Sequence, residues 1–278
     1  MTYRCGLWIV GTFVTAAACG GSTAPAAAPT PAAPSPLPPQ RGIVSFTGNV
    51  YDSAFRPIAA ASVAVVGGTQ PGESAVTDST GAFGLAGEFN TATQFRARKD
   101  GYRDAVHPWR IGRDFFFLVL NGPSLDLSGR YVLTTEADES CTELPPDVRR
   151  RSYDATVSPN AFSTFPSGTT FIAQLAGPGL DKYFHFVSIN VAGDYVYFDM
   201  SDNGIGEEVE DETYFNFGGV GGATATNGGT MISAAISGVI DYCVLKADNG
   251  AFYPCSGAGV ITRIQCSSKA NRLTLTRR

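Results

Sequence analysis

Few residues in this 278-residue chain are equipped for chemistry: two histidines, His107 and His185, and six cysteines. Nucleophilic catalysis needs a serine or cysteine held beside a base. No Gly-x-Ser-x-Gly elbow occurs, and His185, inside the apolar run Tyr183-Phe184-His185-Phe186-Val187, reads as a hydrogen-bonded wall residue. No catalytic constellation emerges, and the chain is read as a non-enzyme. The stretch from Asp199 to Glu210 has the spacing of a calcium loop. Oxygen ligands fall on Asp199, Ser201, Asn203 and Glu210, with Gly204 at the sharp turn. A strand precedes it, no helix flanks it, and Gly206 stands where an aliphatic residue is usual, so an acidic solvated loop is the favoured reading over calcium. In His107-Pro108-Trp109-Arg110, an exposed Trp109 with His107 beside it can stack on a sugar, although tryptophan more often anchors a core or loop. Gly218-Gly219-Val220-Gly221-Gly222 is not a phosphate loop, because no Gly-Lys-Ser/Thr follows. It reads as a loop or a bent edge strand.

The elements that carry these groups begin with a leader. Residues 1–18 hold a positive charge at Arg4, an apolar run from Cys5 to Val14, and Ala16, Ala17 and Ala18, the layout of a secretory signal. The run is shorter than the ~20 residues of a spanning helix. From Ser22 to Gln40 the chain is almost all Ala, Pro, Ser and Thr, too poor in apolar surface to fold and proline-rich enough to make an extended spacer. The junction Thr15-Ala16-Ala17-Ala18-Cys19-Gly20-Gly21 resembles the processing site of bacterial lipoproteins, with Ala16 where that family usually has Leu. The resemblance implies cleavage before Cys19 and lipidation of it, and Gly20 resembles the outer-membrane sorting pattern. Cleavage by ordinary signal peptidase after Ala18 is the alternative. On the favoured reading residues 19–41 are a lipidated tether, the protein belongs to the cell envelope, and its first partner is a membrane.

Beyond Cys19, Cys141, Cys243, Cys255 and Cys266 form an even set, which in an oxidising compartment predicts two disulfides. Cys243 and Cys255 flank a turn between Lys246 and Gly250 and can meet across a hairpin, which leaves Cys141 for Cys266. Zinc is the weaker reading, because no pair has the close spacing that structural zinc sites favour. Charged residues are only 16% of the chain and the net charge is −5, against nucleic acid as a partner. The one basic cluster, Arg149-Arg150-Arg151, follows Pro145, Pro146 and Asp147 and reads as a solvated loop.

Residues 42–121 alternate in the manner of short strands: Val44, Phe46, Gly48 and Val50; Ala61, Val63 and Val65; Ser74 to Thr77; Phe83 and Leu85; Phe95 and Ala97; Phe115 to Leu120. Turns at Asp52 to Pro57, Asp78 to Gly81 and Asp100-Gly101 separate them, which predicts a small β-sandwich. The pieces Gly48-Asn49-Val50-Tyr51-Asp52, Pro57-Ile58-Ala59-Ala60-Ala61-Ser62-Val63, Thr77-Asp78-Ser79-Thr80-Gly81-Ala82-Phe83 and Ala97-Arg98-Lys99-Asp100-Gly101-Tyr102 are similar to the carboxypeptidase regulatory-like domain. That resemblance implies a transthyretin-like sandwich, a structural or adhesive role sometimes linked to carbohydrate-binding-like folds, and no enzyme.

Residues 124–278 continue with roughly eight to nine antiparallel strands, the last two at Gly259–Gln265 and Asn271–Arg277, and no helical stretch, which predicts an up-and-down barrel or a sandwich. Gly129-Arg130-Tyr131 with the closing Arg272-Leu273-Thr274-Leu275-Thr276-Arg277 resembles the calycin (lipocalin-like) pattern, in which a Gly-x-Trp first strand meets a basic residue on the last, with Tyr131 where that pattern has Trp. A closed barrel implies an interior for one small apolar ligand, or one filled by side chains. The fold expected is therefore all-β. The function expected is that of a membrane-anchored, non-catalytic binding or structural module, whose partner beyond the membrane is a glycan, a small apolar ligand or an envelope protein. The rival readings are a carrier of a small apolar ligand and a glycan-binding accessory protein.

Overall fold

The computed structural model describes residues 44–68, 71–110, 113–163, 169–180, 185–201, 204–246, 255 and 259–278. The leader, the tether and Cys19 lie outside the described residues. The fold is all-β, a sandwich followed by a closed barrel, with no α-helix among the described residues.

The sandwich contains β1 (Val44–Asp52), β2 (Ser62–Gly67), β3 (Ser74–Val76), β4 (Ala82–Gly87), β5 (Gln94–Arg98), β6 (Tyr102–Arg103), β7 (Ala105–Pro108) and β8 (Arg113–Leu120). They form two four-stranded sheets, ordered β4-β1-β8-β6 and β3-β2-β5-β7. All pairings are antiparallel except β1 with β8, which run parallel with Gly48 opposite Asp114. Successive side chains of a strand point to opposite faces, so Val63, Val65, Phe83, Leu85, Phe95, Ala97, Phe116 and Leu118 meet in one core. Phe46 is its centre, stacked on Phe95 at 4.0 Å and touching Phe83 at 5.5 Å. Burying such a side chain stabilises by about 1.5–3 kcal/mol. The turn before β4 is built as its sequence implies. The Asp78 carboxylate accepts from the Thr80 hydroxyl at 2.7 Å and from the N–H groups of Thr80 and Ala82 at 2.8 and 3.0 Å. These donors, the Thr80 hydroxyl first, hold its pKa below the usual carboxylate value. Gly81 has φ +74°, and a Cβ there would lie 2.5 Å from the Val50 carbonyl oxygen.

The barrel contains β9 (Gly129–Glu136), β10 (Arg150–Pro159), β11 (Thr170–Ala176), β12 (Phe186–Ala192), β13 (Tyr195–Asp199), β14 (Ile205–Glu210), β15 (Thr213–Thr224), β16 (Met231–Leu245) and β17 (Val260–Arg277). Neighbours in sequence pair antiparallel except β13 and β14, and β17 returns to β9 with Leu275 opposite Leu133. The ring closes where β13 pairs with β15, leaving β14 attached to β15 outside the eight-stranded circuit. Inward rows from around the ring, such as Leu133, Tyr153, Phe171, Ile189, Phe198, Phe215 and Leu273, meet in one buried cluster.

Four readings change here. The glycine run is the middle of β15, where the strand leaves β14 and takes up β13. Gly219 and Gly238 permit this bend, since a Cβ on Gly219 would lie 2.6 Å from the Gly238 Cα. The two C-terminal strands expected are one, β17, with a register shift opposite Ile236 and Gly238. Arg150 and Arg151 belong to β10, not to a loop. The second half of the acidic stretch is β14.

The two disulfides pair as expected, Cys141 with Cys266 and Cys243 with Cys255, each with Cα atoms 5.6 Å apart. Sandwich and barrel lie in one compact unit, Arg41–Arg278. They dock through the turn after β1 and the hairpin between β12 and β13. The Ser53 hydroxyl donates to the Val191 carbonyl at 2.6 Å, and Arg56 donates to the Ala192 carbonyl at 3.4 Å. The Arg56 guanidinium also sits 4.6 Å above the Tyr195 ring. Asp52, 1% exposed, holds the turn by accepting from the N–H groups of Ala54 and Arg56 and from the Arg56 side chain. Phe55 adopts φ 59°, uncommon for a bulky residue, and thereby places its ring 5.3 Å from Tyr197.

Candidate functional site at the barrel mouth

The concentration of buried charge lies where β14 meets the barrel. Ile205 and Glu207 of β14 pair with Phe217 and Phe215 of β15, and this register turns the Glu207 side chain toward the interior, where it is 3% exposed. On β10 the inward row runs Arg151, Tyr153, Ala155, Val157. Arg151 and Tyr153 converge on Glu207 across the barrel. Arg151 donates through Nη2 to Oε1 and through Nε to Oε2 at 3.0 Å, and the Tyr153 hydroxyl donates to Oε2 at 2.8 Å. Burial, then the Glu207 charge, raise the Tyr153 pKa well above the usual tyrosine value, so the phenol remains a donor. Two-pronged Arg–carboxylate contacts are among the strongest polar contacts in proteins. Beside them, Glu208 donates its N–H to the Gly179 carbonyl at 2.9 Å, which ties β14 to the loop after β11. Chemically this is a carboxylate receptor already filled by a carboxylate of the same chain. It offers no nucleophile and no open coordination position.

The calcium set does not assemble. Asp199 lies opposite Val220 and Glu210 opposite Thr213 on the same strand, seven positions apart. At about 3.4 Å per residue that separates them by roughly 20 Å, whereas all ligands of one ion lie within about 2.6 Å of it. Extension of residues 205–210 as β14 is the physical cause. Asp199 instead accepts from the Ser201 hydroxyl at 2.7 Å and the Ser201 N–H at 3.0 Å, and Asn203 lies outside the described residues. Among the described residues no three His, Cys, Asp or Glu side chains gather as a metal site.

His107 falls in β7, stacked on Phe116 at 4.7 Å, with Nδ1 4.0 Å from an Asp114 carboxylate oxygen. Trp109 is half-buried against the sandwich core, and its N–H donates to the Thr93 carbonyl at 2.8 Å. His185 uses its carbonyl to accept from Leu175 at 2.7 Å. A cleft beside the Cys141–Cys266 bridge is lined by Glu136, Asp138, Glu139, Arg150 and Arg272. Arg150 donates to Glu136 there at 2.6 Å, so those two charges answer each other. The Arg277 guanidinium lies 5.6 Å from the Tyr131 ring centre and donates to the Ser128 carbonyl at 2.6 Å, bringing the last strand over the first.

Sequence reasoning missed Arg151, Tyr153 and Glu207. One signal was available, the inward alternation of β10 extended back from Val157 through Ala155 and Tyr153 to Arg151. No protein-family model matches the chain, and no curated protein matches it in sequence.

Proposed function

We propose that this protein is a lipid-anchored envelope protein, held at the outer membrane through Cys19, which presents a carboxypeptidase regulatory-like sandwich and a barrel as a non-catalytic binding or structural module. The observation that carries this reading is the pairing of Cys141, Cys243, Cys255 and Cys266 in two disulfides, since such bonds belong to oxidising compartments. The net charge of −5 argues against nucleic acid. Metabolic labelling with a palmitate analogue tests the anchor. The wild-type chain is expected to take up label and enter the detergent phase, and Cys19→Ala to lose both. An unlabelled wild-type chain removes the anchor from the reading.

The closed ring of eight strands admits a second reading, a carrier of one small apolar ligand, because a ring of this size either fills with its own side chains, as the buried cluster does here, or holds one such ligand. The placement of Arg277 over Tyr131 is the contact that the calycin resemblance implies. A glycan site built on Trp109 and His107 draws less support, because both rings lean on the sandwich core.

A further inference from the structure

We propose that β14 is a displaceable plug of the barrel, latched by Glu207, and that its withdrawal opens the interior. The proposal rests on the carrier reading. Three observations carry it. First, β14 stands outside the closed circuit. Among the described residues its ladder runs to β15 alone, and on its other side the Glu208 N–H donates to the Gly179 carbonyl. Second, its inward side chains occupy volume inside the barrel. Ile205 is fully buried in the core cluster and Val209 packs against it, so moving the strand outward vacates space lined by Phe215 and Phe217. Third, the strand is fastened by charge where apolar residues would serve. A buried ion pair adds little stability compared with well-packed apolar residues of similar size, yet breaking one partner is strongly destabilising. Glu207 with Arg151 and Tyr153 is such a fastening. It spans the barrel between strands that are not neighbours, and loss of Arg151 or Glu207 leaves the other's charge unpaired. A register shift between Glu208 and Glu210 and a left-handed Glu212, φ 58°, mark the end at which the strand turns back into β15.

Hydrogen exchange followed by mass spectrometry on the full chain tests the plug. Amides of residues 205–210 are expected to exchange about tenfold or more faster than those of residues 232–236 in β16, as a locally opening unit does. Glu207→Gln is expected to speed residues 205–210 by about a further tenfold and to leave residues 232–236 unchanged. Equal protection of the two segments in the wild type, or an equal rise in both in the variant, overturns the proposal and makes the cluster an ordinary piece of the global fold. Should Glu207→Gln fail to fold, Tyr153→Phe decides instead. It removes one bond to Glu207, and a rise confined to residues 205–210 supports the plug while no local rise overturns it. Titration with N-phenyl-1-naphthylamine separates the plug from the carrier reading. Tighter probe binding by the variant supports both. Local opening without probe uptake leaves the plug standing and removes the carrier.

Discussion

Between β1 and β8 there is no cysteine, and Phe46, Phe83, Phe89, Phe95 and Phe116 make the centre of the core. Between β9 and β17 there are two disulfides and a buried Arg–Glu–Tyr cluster around a more mixed aliphatic and aromatic interior. The sandwich ends its sheets at β4, β6, β3 and β7, whereas the ring of the barrel has no rim. Both regions join their first strand to their last, β1 to β8 and β9 to β17. The second closure spans a longer chain and costs more entropy. Covalent staples offset that cost by restricting the unfolded chain, a service the shorter sandwich does without.

The largest test of this contrast is to remove the long staple. Cys141 and Cys266 are 125 residues apart, and a loop of that order contributes about 4–5 kcal/mol in the chain-entropy account. Cys141→Ser with Cys266→Ser is expected to lower the urea midpoint of the barrel, read by near-ultraviolet dichroism. The midpoint of the sandwich, read by Trp109 emission in the chain from Cys19 onward, should fall less. Equal falls would mean that both regions unfold as one body. A smaller effect is expected at the junction. Asp52→Ala deprives three donors of a buried charged acceptor, a loss of about 2 kcal/mol, and should lower the sandwich midpoint. A sandwich midpoint that stays unshifted would make the docking turn incidental. The smallest effect is alkaline. The Tyr153 pKa is raised in the folded protein, so its contribution is fully present below about pH 10, where an unfolded tyrosine ionises, and is lost as pH rises above that toward the folded value. Barrel stability should therefore fall above about pH 10, and Tyr153→Phe should flatten that slope.

The sandwich was legible where alternation was clean, as in Phe95 and Ala97 or Phe83 and Leu85, and where a turn had its own chemistry, as at Asp78 and Gly81. β6 and β7 escaped because they are 2 and 4 residues long and β7 ends in proline. The disulfide pairing was legible from the turn near Cys243 and from parity. β17 read as two strands because its middle, Cys266 to Ala270, is polar and spaced by a bulge, so no apolar row marks it as continuous. The mouth cluster was hidden for a different reason. In Ile205-Gly206-Glu207-Glu208-Val209-Glu210 the inward Glu207 has outward acidic neighbours, so the alternation that betrays a half-buried strand is erased, and the acids read as ligands or solvent-facing charge.

The pairing of β17 with β9 also sets a timetable. The residues that complete the ring, Arg272 to Arg277, are made after every other strand of the barrel. Synthesis proceeds at roughly 5–20 residues per second, and every strand of the sandwich precedes residue 121. The sandwich can therefore be whole for several seconds while the barrel is still an open meander with a bare edge on β9. During that interval the earlier module is the one folded body on the nascent chain, and a chain cut before Arg272 would hold every other barrel strand yet no closed ring.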